Sequence, residues 1–401
     1  MRIGMLADTY KPHISGVTNY ISLNKRFLEK DGHEVYVFTF GDVDYPDDEP
    51  NIIRTPGLPL IDSGVYFSLR YNAKAQRLLR SMDIVHVHHP FFSGFLSIRY
   101  CQPRGIPVIF TNHTRYDLYA QFYLPEVIPD ILGEAFLKTY LPMFCRTCDL
   151  IIAPSYGILE ILRSYVGGSN LVVIPNGVDL KPFQAPVEAI PKSELGFQDS
   201  EIILTYMGRL GPEKSLPFLL QAFKGLTQVY DNVGLLIIGD GPERENLAVH
   251  VRNLGIEERV RFTGLIPYSE MPRYLAAAHA FVTASVTEVH PLSVIEAMAT
   301  GLPILGIASP GVSDMVEDGT TGLIADGQDL LLYTALMVRL VAETDLRQRM
   351  GEEARKAASA YSIERTSQLL QEKYEELIET SSRRKRGIRQ RFTRAMDKVL
   401  L

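Results

Sequence analysis

Short apolar runs alternate along most of this chain with longer stretches whose apolar positions recur every three or four residues. The first pattern predicts strands buried on both faces, the second amphipathic helices, and their alternation predicts parallel sheets. Ile3–Ala7, Glu34–Phe40, Ile84–His88, Val108–Thr111, Leu150–Ala153 and Leu171–Ile174 read as strands, with helices at Gly16–Asp31 and Asn72–Ser81. Gly32 supplies a helix stop just before the strand that starts at Glu34. The rhythm then restarts. Ile202–Met207, Gly234–Ile238, Val260–Thr263, Ala280–Thr283, Ile304–Gly306 and Gly322–Ile324 read as strands. Helices fall at Leu216–Val229, Glu243–Leu254, Met271–Ala276, Leu292–Ala299 and Leu330–Ala342. Between the two series, Pro175–Ser200 is rich in Pro, Gly and Asp, as linkers are.

The fold class is therefore α/β, with two Rossmann-like, doubly wound parallel-sheet domains facing a cleft. The first domain spans 1–180 and the second 200–360. A helix over 361–380 is expected to cross back to the first domain, and 381–401 forms a basic amphipathic tail. A length of 401 residues suits two cores better than one. No short-period repeat interrupts the pattern.

Composition narrows the function classes. With 41 basic and 47 acidic residues and a net charge of −6, the protein is not a polycation built for nucleic acid. The charge is uneven, however. Arg383, Arg384, Lys385, Arg386, Arg389, Arg391, Arg394 and Lys398 face a single acid, Asp397, in the last stretch. Ile388, Phe392, Ala395, Met396 and Val399 recur there at spacings of three and four, so the tail reads as a basic amphipathic helix for an anionic membrane surface. A disordered basic tail or an RNA-binding one are the alternatives, though the aromatic-interleaved groove of single-strand binders is absent. Arg70, Lys74, Arg77 and Arg80 give a second basic face at helical spacing. Three cysteines, Cys101, Cys145 and Cys148, form no disulfide framework, and the C-x-x-C pair stands alone in a helical pattern, so buried thiols are expected. No signal peptide or apolar run of membrane-spanning length is visible, which gives a cytoplasmic expectation.

Ligands of open α/β sheets bind beyond the carboxyl ends of the strands, so chemistry is sought in the loops there. The segment 285–304, SVTEVHPLSVIEAMATGLPI, sets Glu288 in a loop after a strand and Glu296 in the following helix, in an E-x7-E spacing. A carboxylate can accept two hydrogen bonds from a vicinal diol. This segment resembles the donor-site signature of the retaining glycosyltransferase family 4, which has the GT-B fold. The resemblance implies Glu288 near the donor sugar and Glu296 on the ribose hydroxyls, with His290, Pro291, Leu292 and Ser293 lining the donor loop. Here the chain departs from the family, which commonly has an aromatic residue or Gln, then Gly, where His290 and Pro291 stand. Gly208, Arg209 and Lys214 match the family's G-R-x4-K element, which implies that both cations clamp the donor diphosphate and stabilise charge on the leaving group. They can substitute for a divalent metal, so no obligatory metal or other cofactor is expected. Gly239 and Gly241 resemble its G-x-G-P loop, and Leu265 lies in a loop that looks like the base-contacting one. UDP-sugar and GDP-sugar donors both stay open.

In the first half, Ser15 and Gly16 open a helix after the first strand, a ready anion site, where the family usually pairs glycines. Helix capping by Ser15 is the plainer reading. His113 matches the family's histidine near the donor sugar, which implies hydrogen bonding there rather than base catalysis. His86, His88 and His89 could suggest a metal, yet only His86 and His88 share a face, and the family's similar strand end holds none. Asp42 and Asp44 form the D-x-D of a different glycosyltransferase fold, in an acidic loop with Asp47, Asp48 and Glu49 that reads as solvated. The aromatic-rich stretch around Arg115, Tyr116, Tyr119, Phe122 and Tyr123, with His13, resembles the lipid-acting branch that includes diacylglycerol glucosyltransferases and phosphatidylinositol mannosyltransferases. A core-packed helix is the alternative.

The expected function is transfer of a hexose such as glucose from a nucleotide diphosphate to a membrane lipid hydroxyl, with retained configuration. The enzyme would sit peripherally on the inner face of the cell membrane. Rivals are a soluble-acceptor glycosyltransferase, a sugar-nucleotide epimerase and a non-catalytic sugar-nucleotide-binding protein. A Rossmann dehydrogenase is disfavoured, because no G-x-G-x-x-G follows the first strand.

Overall fold

The computed structural model describes residues 1–13, 15–60, 65–116, 118, 130–168 and 170–400, with the backbone alone at 60, 65, 130–137 and 383–400. In chain order the first-half strands are β1 (Arg2–Leu6), β2 (Glu34–Phe40), β3 (Ile52–Thr55), the ribbon β4 (Leu58–Leu60) and β5 (Val65–Phe67), β6 (Ile84–Val87), β7 (Val108–Thr111), β8 (Leu150–Ala153) and β9 (Leu171–Val173). The second half contributes β10 (Ile202–Met207), β11 (Val233–Ile238), β12 (Val260–Gly264), β13 (Ala280–Val282), β14 (Ile304–Ile307) and β15 (Gly322–Ala325). They form a seven-stranded sheet, β3-β2-β1-β6-β7-β8-β9, and a six-stranded sheet, β12-β11-β10-β13-β14-β15. Every ladder in both is parallel, and only the β4–β5 ribbon is antiparallel.

Each order runs outward from its first strand and then reverses. The reversal falls between β1 and β6 in one sheet and between β10 and β13 in the other. Chain connections leave in opposite directions there, which opens a crevice beyond the strand ends. The loops carrying His13, His89, Arg209 and Glu288 all start at those four strands.

Burial explains the elements. β11 reads VGLLII and every residue is buried, as a strand covered by helices on both faces requires. On β7, Val108 and Phe110 pack on one face of the sheet with Phe38, Val85 and Phe144, while Ile109 packs on the other with Ile3, Met5 and Ile84. Several elements escape the periodic reading. The helix Phe92–Tyr100 has little polar face and sinks Leu96 and Tyr100 into the core. β3 carries Arg54, whose charge is met by Asp47 at 2.6 Å. Other boundaries shift by a residue or two, as fraying ends do. Cys145 and Cys148 straddle the end of the helix Asp130–Thr147, and all three thiols are free and buried. Burial pushes the Cys101 and Cys145 thiols up to about 12.

The last helix, Ile363–Leu400, returns to the first sheet. Val178 and the helix entry exchange backbone bonds: the Val178 amide donates to Tyr361 and the Ile363 amide to Val178. Leu370 and Tyr374, one turn apart, are fully buried against the face that holds Ile3, Met5 and Ile109. Tyr374 Oη lies 2.6 Å from His86 Nδ1, and His86 Nε2 lies 2.6 Å from Thr111 Oγ1. Burial drops the His86 imidazole to about 3, so it stays neutral. Ser381 Oγ donates to the Gly105 carbonyl at 2.9 Å. The side chains of the basic tail beyond it lie outside the described residues. Among the described residues, no helix is long and apolar enough to cross a membrane.

Tyr374→Phe should leave a buried His86 nitrogen unpaired and lower stability by about 1–3 kcal/mol. A denaturant midpoint identical to wild type would show that this bond is not holding the returning helix.

Candidate active site

The loop after β10 turns at Gly208 and delivers Arg209, Glu213 and Lys214 in sequence. Its shape depends on the neighbouring loop after β11. Gly239 has φ +130°, and a Cβ there would stand 2.0 Å from the Gly208 carbonyl oxygen. At Gly241 a Cβ would stand 2.5 Å from that of Leu210. The two loops therefore pack backbone to backbone, tied by Leu210 N–H to Asp240 at 2.9 Å and Glu243 N–H to Leu210 at 3.0 Å. These glycines act first by letting the Arg209 loop settle. Leu265 is exposed beside them, next to Gly264, whose carbonyl accepts from the Gly239 amide at 3.1 Å.

Side chains of alternating sign fill the crevice. Lys214 Nζ is 2.8 Å from Glu288 Oε1, which joins the loops after β10 and β13. Burial works against the Lys214 charge, yet the Glu288 carboxylate and then Glu213 outweigh it and raise its pKa. Glu213 is buried, 3.7 Å from Arg209 Nη1, and its Oε2 has no partner. Its carbonyl accepts from Ser285 Oγ at 3.2 Å, and Tyr206 Oη donates to the Arg209 carbonyl at 3.1 Å. The sequence reading overlooked Glu213, although it sits inside the G-R-x4-K spacing.

Glu296 is 5% exposed, so it is no solvated helix residue. Tyr268 Oη donates to its Oε1 at 2.7 Å. Burial raises the carboxyl to about 7, against the opposing pull of that hydrogen bond. Pro291 precedes the helix Leu292–Thr300, so Leu292 and Ser293 occupy its first turn, where amides lack helical partners. His290 belongs elsewhere. Its ring is buried edge-on to Tyr361 at 5.1 Å, its carbonyl accepts from Asn176 Nδ2 at 2.8 Å, and burial lowers it to about 3. Expected in the donor loop, it contributes to the joint between the halves through these contacts with Asn176 and Tyr361.

Facing these groups are the β1, β6 and β7 ends. His13 is half-buried, and its pKa is lowered by burial and then by the Arg209 charge, which places the two near each other across the gap. Ser15 Oγ caps the helix Gly16–Lys30 by accepting from Thr18 N–H at 3.1 Å, while a Cβ on Gly16 would meet nothing within 4 Å. His113 Nε2 lies 3.1 Å from His88 Nδ1, with Tyr20 edge-on to both rings. His88 Nε2 is buried without a hydrogen-bond partner among the described residues. A buried orphan donor costs more than an orphan lone pair. His88 therefore carries its proton on Nδ1 and donates to His113 Nε2, which leaves the His113 proton on Nδ1. Burial holds both rings neutral. His113 is then a hydrogen-bond donor rather than a base.

The acceptor-side expectations fare unevenly. Tyr116 is buried edge-on to Phe91 at 5.6 Å, so it is core. Arg115 is half-buried; Tyr119, Phe122 and Tyr123 lie outside the described residues. The acidic loop is less solvated than its composition suggests. Asp42 and Asp44 are exposed, but Glu49 reaches Lys11 at 3.0 Å and the buried Lys25 at 3.6 Å. Among the described residues, no group of three or more His, Cys, Asp or Glu could hold a metal ion.

Residues 14–182 match the family described as Glycosyltransferase Family 4, and residues 188–357 match Glycosyl transferases group 1. The chain is 33% identical over 357 residues to an alpha-monoglucosyldiacylglycerol synthase of Streptococcus pneumoniae, covering 87% of this chain and 80% of that protein. Sucrose-phosphate synthase from Thermosynechococcus elongatus superposes with a TM-score of 0.77 at 21% identity, covering 94% of this chain and 99% of that one. HepE of Anabaena, solved with UDP and glucose, gives 0.76 at 18% identity, covering 94% and 100%. The two solved structures share the two-domain fold.

Ionised Glu296 is the better acceptor for a diol. If Glu296 accepts from a donor ribose, as the resemblance implies, a ribonucleotide diphosphate such as UDP should bind about three- to tenfold tighter at pH about 8 than at about 5.5, and Glu296→Gln should flatten the profile. Stability runs the other way. A carboxyl raised from 4.5 to about 7 favours the folded state while protonated, and that contribution fades as pH rises between those values. Titration calorimetry with UDP at the two pH values checks the first claim; equal affinities would remove Glu296 from the site.

Proposed function

The chain belongs to glycosyltransferase family 4, and from that premise we propose that it moves a hexose such as glucose from a nucleotide diphosphate to the hydroxyl of a membrane lipid such as diacylglycerol, with retained configuration. The observation that carries this reading is the Arg209–Glu213–Lys214–Glu288 cluster at the reversal point of the second sheet, with His13 opposite Arg209. Glu213 and Glu288 keep two cations in place, and an incoming diphosphate takes over those charges.

In this reading Arg209 and Lys214 bind the diphosphate, and Glu288 turns to the sugar hydroxyls. Glu296 accepts from the ribose. As the bond from the sugar carbon to the phosphate oxygen breaks, its electron pair passes to the phosphate, and the two cations stabilise the growing charge. The acceptor oxygen attacks from the same face, which retains configuration, and its proton passes to the departing phosphate oxygen. His113 donates to the sugar from the other side. The cations supply the charge that a divalent metal would otherwise provide, so turnover is expected to survive EDTA.

The lipid acceptor is supported by the likeness to an enzyme whose name specifies a glucosyldiacylglycerol product, and by the basic stretch 383–398 on the end of a long helix. That stretch would hold the enzyme to an anionic surface, on the cytoplasmic face of the cell membrane. UDP is the first donor base to try, since HepE was solved with it.

The test is incubation with a panel of UDP- and GDP-sugars plus total lipid extract, with mass spectrometry of the products. A hexosyl lipid of retained anomeric configuration is expected. A sugar nucleotide isomerised without acceptor, or transfer to soluble sugars alone, would replace this reading. Arg209→Ala should fold normally and lose about 100- to 1,000-fold in turnover. The protein should float with phosphatidylglycerol vesicles, and a chain ending at residue 381 should not; equal flotation would take the membrane role from the tail.

A further inference from the structure

Three histidines follow one another at the end of β6, and their rings part. His86 and His88 lie side by side, 4.2 Å between centroids, and are spoken for by Tyr374, Thr111 and His113. His89 turns to β1, where the Asp8 amide donates to its Nδ1 at 3.2 Å. A backbone amide can only donate. Nδ1 therefore carries a lone pair, and the neutral ring carries its proton on Nε2. The tautomer of His89 is set by the main chain.

Asp8 is fixed in turn. It is buried, and its Oδ1 accepts from Ser93 N–H at 2.7 Å and Ser93 Oγ at 2.5 Å. Ser93 lies in the first turn of the helix Phe92–Tyr100. The end of β1 is thus clamped to the helix that follows β6, with His89 between. Burial favours a neutral His89 and outweighs the pull of the Asp8 carboxylate toward the charged form, so the pKa of the ring is lowered.

What remains is the Nε2–H. It has no partner among the described residues, and the ring is only partly buried. His13 and His113 both lie close enough to His89 for their charges to couple, and His13 couples to Arg209. His89 therefore sits at the reversal point of the first sheet, beside His13, which in turn lies near Arg209.

We propose that His89 is an acceptor-side catalytic residue: its Nε2–H donates a hydrogen bond to the oxygen of the incoming hydroxyl. That oxygen has two lone pairs. One accepts from His89, which fixes the direction of the other toward the sugar carbon. The hydroxyl keeps its proton until the carbon–oxygen bond forms, and the proton then goes to the phosphate oxygen as that bond breaks. The Asp8 amide also denies His89 a role as base, because it occupies the Nδ1 lone pair and the other ring nitrogen is already protonated. This role rests on the transferase reading above and extends it to the acceptor.

Three variants test it: His89→Gln, whose amide N–H can stand in for Nε2–H, and His89→Leu and His89→Ala, which offer no donor. Transfer is measured with the hydroxyl that wild type uses in the sugar and lipid panel, diacylglycerol in phosphatidylglycerol vesicles on the reading above. UDP affinity is measured by calorimetry. His89→Leu and His89→Ala should lose about tenfold or more in kcat/KM for the acceptor. His89→Gln should stay within about fivefold of wild type, and imidazole should restore part of the activity of His89→Ala. UDP affinity should not change in any of them. An unaltered kcat/KM in His89→Leu, a loss of UDP binding, or His89→Gln as impaired as His89→Leu would each overturn the assignment. Wild-type transfer to a soluble hydroxyl would overturn the lipid reading alone, since the variants are then compared on that acceptor.

Discussion

Lys214 meets Glu288 at 2.8 Å across the point where the second sheet reverses, and both are mostly withdrawn from water. Arg209 and Lys214 are cations five residues apart on one loop, and without a polyanion between them they repel. Glu213 and Glu288 make the arrangement tolerable. Such a buried network is weak evidence for stability, since desolvation consumes much of the attraction. It is better explained by what it prepares. On the function proposed above, a diphosphate entering the crevice would find two oriented cations and would displace carboxylates that can turn to sugar hydroxyls. The loop beneath is held by the backbone contact of Gly239 and Gly241, so the charges rest on a scaffold with no room for a side chain.

The same loop is also part of the joint. Glu288 faces Lys214, but Val289 packs into the core of the first domain, and His290 accepts through its carbonyl from Asn176 and packs its ring edge-on against Tyr361. The Gly311 amide donates to the Glu288 carbonyl at 2.9 Å. Asp314 follows shortly after and accepts from the Tyr156 and Gly157 amides at the start of a first-domain helix. The partner of Lys214 and the contacts that join the domains therefore lie on one short stretch of chain.

Much of this was legible in the sequence for a physical reason. Strands buried on both faces must be apolar nearly throughout, so β10 and β11 stand out without any tertiary knowledge. Glycine punctuation and the E-x7-E spacing then fix where charged groups leave the sheet. Partners distant in sequence were not legible. Nothing in the spacing connects Tyr268 to Glu296, Tyr374 to His86 or Asn176 to His290; each depends on how separate elements come together. The burial of Tyr116 shows the same limit from the other side, since an aromatic near a strand end can equally serve a core or a ligand.

The first domain solves a different problem from the second. Its crevice wall holds His13, His88, His89 and His113, with His13 near Arg209, and every one of these rings has its pKa lowered by burial. Charged imidazoles there would compete with the cations for the diphosphate and add repulsion across the gap. Neutral rings give directed donors without net charge, provided each tautomer is fixed. The structure fixes them in two ways: by the Asp8 amide for His89, and by the orphaned Nε2 of His88 for the His88–His113 pair. The second domain thus gathers charge and the first supplies uncharged, oriented hydrogen bonds. A donor diphosphate and a neutral acceptor hydroxyl call for that division.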